Sequence, residues 1–171
     1  MIVRGISGAR GIGLGKVYVY THEDVVIPKD KIEESAVADE QAQIMAALDK
    51  TVAQLEAIRD KTAQTMGKKE SAIFDAHILI AQDPALIDGA KNLVAIEQCT
   101  AAEAVSRTVE QFAAVFSAMD DEYMRARGAD IKDIGDRLLR NVLGMTPLGL
   151  SHLTEEVILV ANDLTPSDTA S

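Results

Sequence analysis

Two short runs with strand character stand near opposite ends of the chain, Lys16-Val17-Tyr18-Val19-Tyr20 and Glu156-Val157-Ile158-Leu159-Val160-Ala161. β-branched and aromatic residues favour extended backbone, but a lone strand leaves its N–H and C=O groups without partners. Each run therefore needs the other, and the two are expected to pair in one small sheet. Between them, from about residue 33 to 144, the apolar spacing switches to every third or fourth residue, the signature of helices. The chain must leave a sheet, build a helical body and return to the same sheet. This predicts a mainly α protein: a helical bundle over 31–145, inserted into an α/β unit made of 1–30 and 146–171.

The helical stretch divides at its punctuation. Val37, Ile44, Leu48, Val52, Leu55, Ile58 and Met66 mark one long amphipathic helix closing near Gly67. A second is expected from about Glu70 to Ala81. Asp83-Pro84 restarts the chain with a capping carboxylate and a proline at the first helical position, where its missing N–H costs nothing; this helix is expected to reach about Val94. Thr100-Ala101-Ala102-Glu103 fits a reciprocal capping box, followed by Val105, Val109, Phe112, Phe116, Met119 and Tyr123 in one stripe. A last helix is expected from Asp130 to Leu143, ending at Gly144. At the amino-terminal end, Ile2 to Ile6 reads as a further strand before the glycine-rich bend, and Val25-Val26-Ile27-Pro28 as a short edge element.

Composition narrows the function classes. A hydrophobic share of 47% against 26% charged residues suits a folded protein, and the 4% aromatic content favours packed helices over a β-sandwich. The net charge of −10 disfavours nucleic acid, whose phosphates need a basic surface, and suits a basic protein partner. Cys99 is the single cysteine, which rules out an internal disulfide or a cysteine-cluster metal site. No apolar run approaches the ~20 residues that span a bilayer, so no membrane insertion and a cytoplasmic location are expected.

Few motifs carry chemistry. The run Gly8-Ala9-Arg10-Gly11-Ile12-Gly13-Leu14-Gly15-Lys16 misses the phosphate-loop pattern at Arg10 and at Val17, and the dinucleotide pattern at Lys16, so it reads as a tight loop. Of the three histidines, His22 and His152 fall in connections, while His77 follows an apolar pair on a helix. None is spaced for a metal. The carboxylates of Asp120-Asp121-Glu122, with Asp130, Asp133 and Asp136 beyond, would diverge if helical, and no metal site is expected.

Three separated segments, Ala72-Ile73-Phe74-Asp75-Ala76-His77, Met119-Asp120-Asp121-Glu122-Tyr123 and the closing Leu164-Thr165-Pro166-Ser167-Asp168-Thr169-Ala170, resemble the amino-terminal part of enzyme I of the bacterial phosphotransferase system. That family passes phosphate from phosphoenolpyruvate, through a histidine of its own, to the carrier HPr. The resemblance implies an HPr-binding surface on the second and third helices. Lys68, Lys69, Ala72, His77, Ile80, Asp83, Pro84, Ala85, Leu86 and Arg127 are its candidate residues, with His77, Ile80, Ala85 and Leu86 as exposed anchors. Arg127 matches an arginine that lies near the phosphoryl group in the family, as suits a permanently charged guanidinium; pairing with Glu122 or Asp130 is the plain alternative. Thr169 matches the threonine that orients the phosphohistidine, a residue expected beyond Ser171, so this chain is expected to bind and not to catalyse. Magnesium is implied for the full-length protein and no cofactor for this chain. Self-association through an incomplete sheet is a further expectation. The turn Gly67-Lys68-Lys69-Glu70 departs from the acidic turn common in the family. A non-enzymatic carrier-binding adaptor of the same helical fold stays open as the alternative function.

Overall fold

The computed structural model describes residues 6, 8–21, 25–145, 149–150 and 153–170. β1 (Lys16–Tyr20) and β2 (Val157–Ala161) pair in parallel, with Val17 opposite Ile158 and Val19 opposite Val160. A parallel pair needs a crossover, and here the crossover is the helical body itself. Of the expected strand over Ile2–Ile6 all but Ile6, together with His22 and His152, lies outside the described residues.

After one 3-10 turn (Glu34–Ala36) come α1 (Val37–Thr65), α2 (Lys68–Ala81), α3 (Pro84–Glu97), α4 (Ala101–Ser117) and α5 (Glu122–Val142). A short α6 (Pro166–Ala170) follows β2. The predicted stripe of α1 is realised: Ile44, Leu48, Leu55 and Ile58 are buried, while Met66 is exposed past the end of the helix. Gly67 takes φ 115°, which an L side chain rarely adopts, and so turns α1 into α2. Asp83 caps α3 by accepting from the Ala85 N–H at 2.8 Å, as its spacing to Pro84 demands.

Three expectations are corrected. Val25–Pro28 is not a strand; the segment is strapped to the α3–α4 turn, where Thr100 Oγ1 donates to the Pro28 carbonyl and Lys31 bridges Cys99. The box at Thr100 is half formed, because Thr100 Oγ1 accepts from the Glu103 N–H while the Glu103 carboxylate faces Arg107 at 3.6 Å. The stripe ending in Met119 and Tyr123 is two helices. Asp121 accepts from the Met124 N–H at 3.0 Å, and this cap starts α5 eight residues earlier than Asp130. Periodicity runs straight through such a break; a side-chain cap is what the chain obeys.

α4 and α5 then pack at unusually close range. An added Cβ on Gly128 would lie 2.5 Å from Ser117 Oγ, and one on Gly135 would lie 2.2 Å from Val109 Cγ1. The two bare Cα positions let the helices touch backbone to side chain.

Candidate functional site

Between α2, α4 and α5 lies a concave, mainly apolar pocket of about 310 Å³. α2 supplies Ala76, Leu79 and Ile80 to its wall, α4 supplies Phe112 and Phe116, and α5 supplies Met124, Arg127 and Ile131. Asp83, at the α2–α3 turn, completes the lining. Ile131 is buried as the floor, whereas Leu79 stands 71% exposed. Tilted Phe112 and Phe116 rings, 6.4 Å apart, give the α4 side a firm face. Exposed apolar surface next to a concave apolar floor, with charge confined to two residues, is the layout of a protein-docking patch.

The charged edge is built in depth. Arg127 Nη1 donates to Asp130 Oδ2 at 3.0 Å, its Nη2 donates to the Tyr123 hydroxyl, and its guanidinium sits 4.8 Å from that ring's centroid. The Tyr123 hydrogen bond, then Asp130, hold Arg127 above the usual guanidinium range. Behind Asp130 lies His77, whose Nε2 is 3.5 Å from Asp130 Oδ1 and whose Nδ1 is 4.0 Å from Asp133 Oδ2. Its ring is fully buried and meets Phe74 edge-on at 5.6 Å between centroids.

The structure sorts the sequence candidates. Lys68, Lys69 and Ala72 are exposed on the first turns of α2, and Pro84 and Ala85 are exposed at the start of α3. Ile80 and Asp83 are half-buried and line the pocket, as does Arg127, whose plain alternative pairing with Asp130 is realised. Two anchors are corrected: Leu86 is 2% exposed and His77 fully buried, so neither presents a surface. Both sit on the inner stripe, Leu86 one turn into α3 and His77 one turn after Phe74, where packing claims them. Sequence reasoning missed Leu79, Phe112, Phe116, Met124 and Ile131 as site residues. Phe112 and Phe116 were legible as a bundle stripe; that part of this stripe stays open is a tertiary fact.

The acidic residues do not converge. Asp121 caps α5, Asp130 and Asp133 face His77, and Asp136 accepts from Arg140 Nε at 2.8 Å. Among the described residues no group of three or more His, Cys, Asp or Glu side chains could hold a metal ion. They therefore do not fit the magnesium that the resemblance implies for the full-length protein.

At the other end, Thr165 and Asp168 form the reciprocal box that Thr100 only half makes. Thr165 N–H and Oγ1 both donate to Asp168 Oδ2 at 2.9 Å, and the Asp168 N–H donates back to Thr165 Oγ1 at 3.2 Å. Tyr20 Oη on β1 donates to Asp168 Oδ1 at 2.7 Å; burial first, and then that bond, push the Tyr20 hydroxyl well above its ordinary range. Thr169 is exposed, its hydroxyl donating only within its own turn, to the Thr165 and Pro166 carbonyls at 3.3 Å each.

Comparison with known proteins places these features in a family. Residues 4–127 match the family described as PEP-utilising enzyme, N-terminal. The chain is 37% identical over 170 residues to the phosphoenolpyruvate-protein phosphotransferase of Enterococcus faecalis (strain ATCC 700802 / V583), a match covering 99% of this chain and 29% of that protein. The Priestia megaterium protein of the same name is 36% identical, covering 98% and 29%. The chain thus spans less than a third of the length of these relatives. Among solved structures, the solution NMR structure of Enzyme I (nEIt) superposes with a TM-score of 0.78 at 44% identity, covering 91% of this chain and 63% of that one. The N-terminal domain of Enzyme 1 - Nitrogen shares the fold at a TM-score of 0.66 and 23% identity, covering 89% and 61%. The resemblance to the amino-terminal part of enzyme I holds in sequence and in fold.

Proposed function

Because the chain belongs to the PEP-utilising enzyme, N-terminal family, we propose that its pocket between α2, α4 and α5 docks the phosphocarrier HPr. The parent protein would be a phosphoenolpyruvate–protein phosphotransferase of the sugar phosphotransferase system, carrying phosphate on a histidine of its own and passing it to a histidine of the carrier. The observation that carries the reading is the pairing of exposed Leu79 with the apolar floor at Ile131, edged by Arg127 and Asp83. An aliphatic anchor supplies the affinity, and a guanidinium beside it offers two donors to phosphoryl oxygens. The chain's net charge of −10 suits a partly basic carrier face.

Lys68, Lys69 and Ala72 on α2, and Pro84 and Ala85 on α3, are the exposed rim of this proposed surface. Thr169, exposed on α6, is the proposed partner of the phosphohistidine. Magnesium would serve the parent protein elsewhere, and no step at this pocket runs through it. The proposal places the protein in the cytoplasm; no helix among the described residues is long and apolar enough to cross a membrane. It extends to self-association through the sheet, where Val17, Val19 and Val160 are exposed, and sedimentation at rising concentration would reveal it.

Leu79→Glu tests the docking directly. It should weaken HPr binding in a calorimetric titration by about 2 kcal/mol or more, the scale of a central anchor, with the melting temperature unchanged. Unaltered affinity would remove the pocket from the interface. Ile80→Glu is a less clean probe, because half-buried Ile80 also packs on the core and its loss should cost stability too.

A further inference from the structure

We propose that His77 is a positioning residue for Arg127, acting through the one carboxylate they share, Asp130. The inference rests on the reading that the pocket receives a partner bearing an anionic group. Asp130 faces both cation candidates: its Oδ2 accepts from Arg127 Nη1 at 3.0 Å, and its Oδ1 lies 3.5 Å from His77 Nε2. Both ring nitrogens of His77 and Oδ2 of Asp133 are buried with no hydrogen-bond partner. Buried polar atoms without partners are rare; Asp133 Oδ2 lies 4.0 Å from Nδ1, and Asp130, which faces Nε2, is committed to Arg127. A movement of Asp130 by a fraction of an ångström toward the ring would pair Nε2 and relax its hold on Arg127.

The two arrangements differ in charge as well as position. While Asp130 holds Arg127, the carboxylate offsets the guanidinium's charge and occupies one of its donors at the pocket wall. When an anion engages the guanidinium, Asp130 is released, and an imidazolium at His77 is its natural new partner. One proton from solvent then binds the ring, flanked by Asp130 on Nε2 and Asp133 on Nδ1. On α5, besides Asp130 and Asp133, the buried Arg137 guanidinium acts on the charge of Asp133. On α2 its packed neighbour is the Phe74 ring, on α1 Arg59 is paired outward with Asp60 and Asp75, and on α3 Asp83 is spent on its own cap. Docking of an anionic partner is therefore coupled to proton uptake at His77.

Long-range 1H–15N spectra of the His77 ring in the intact, unliganded chain test the link without any partner. Arg127→Gln frees Asp130 and should move both ring nitrogens toward the common position of an imidazolium; Asp130→Asn should move them apart, toward a neutral ring. Arg127 and Asp130 side chains are 25% and 17% exposed, so both variants should fold. Spectra unchanged in both overturn the proposal. Titration with HPr in buffers of different ionisation heat then counts protons: uptake in the wild type, and its loss in His77→Gln, support the coupling. Binding without proton uptake overturns it. Absence of HPr binding would fell the docking reading alone, since the spectra still decide whether His77 and Arg127 share Asp130.

Discussion

Leu79 and Leu86 are the same residue seven positions apart, and the fold gives them opposite uses. Leu79 is 71% exposed at the pocket, while Leu86 is 2% exposed on the buried side of α3. Leu86→Ala should therefore lower unfolding free energy by about 2–5 kcal/mol, the cost of lost burial and a cavity. Leu79→Ala should leave denaturant unfolding unchanged within about 0.5 kcal/mol and act only on docking. Equal stability losses would mean that the α2–α3 turn sits differently from its described place. Cys99 makes a second residue-level case. Burial, first among its causes, pushes its thiol up, so the nucleophilic thiolate is scarce as well as inaccessible. A thiol reagent should react with the folded chain only on the timescale of unfolding; prompt labelling at neutral pH would contradict that.

At the scale of elements, the pocket depends on how closely α5 approaches α4. Gly135 faces Val109 with room for no methyl group, the added Cβ falling 2.2 Å from Val109 Cγ1. Gly135→Ala should gain about 1 kcal/mol of helix propensity, an amount that about 1–3 kcal/mol of overpacking against Val109 offsets or exceeds. Combined with Val109→Ala, much of that loss should return in a double-mutant cycle, because the two changes occupy the same space. Simple addition of the two single losses would show that the helices separate instead of interlocking. The start of α5 is a local matter. Asp121→Ala removes the cap on Met124 N–H and should cost about 1 kcal/mol.

At the scale of the molecule, a buried polar link ties the sheet to α6. Tyr20 on β1 holds Asp168, and Asp168 in turn holds Thr165 at the head of α6. α6 has only five residues, too few to persist on their own hydrogen bonds. Tyr20→Phe should raise amide exchange at 165–170 while α1, α4 and α5 keep their protection. A uniform rise across all helices would instead make this link part of the global fold. α6 also presents Thr169, the proposed partner of the phosphohistidine.

What the residues alone determined is whatever local spacing and pairing necessity control. Both described strands, five of the six helices and the ends set by Gly67, Asp83-Pro84 and Gly144 were legible, since a cap or a positive φ is enforced within a few residues. The need of each strand for a partner announced the sheet, although Val17 and its partner Ile158 stand 141 positions apart. The α4–α5 break was not legible, because the apolar stripe continues through Asp120-Asp121 and only the Asp121 cap decides it. Nor was the pocket. Leu79, Phe116 and Arg127 belong to three helices, and the closeness allowed by Gly128 and Gly135 brings them together. His77 shows the limit most plainly: its helix was readable from the sequence, but whether it faced solvent or Asp130 depended on where α5 came to rest.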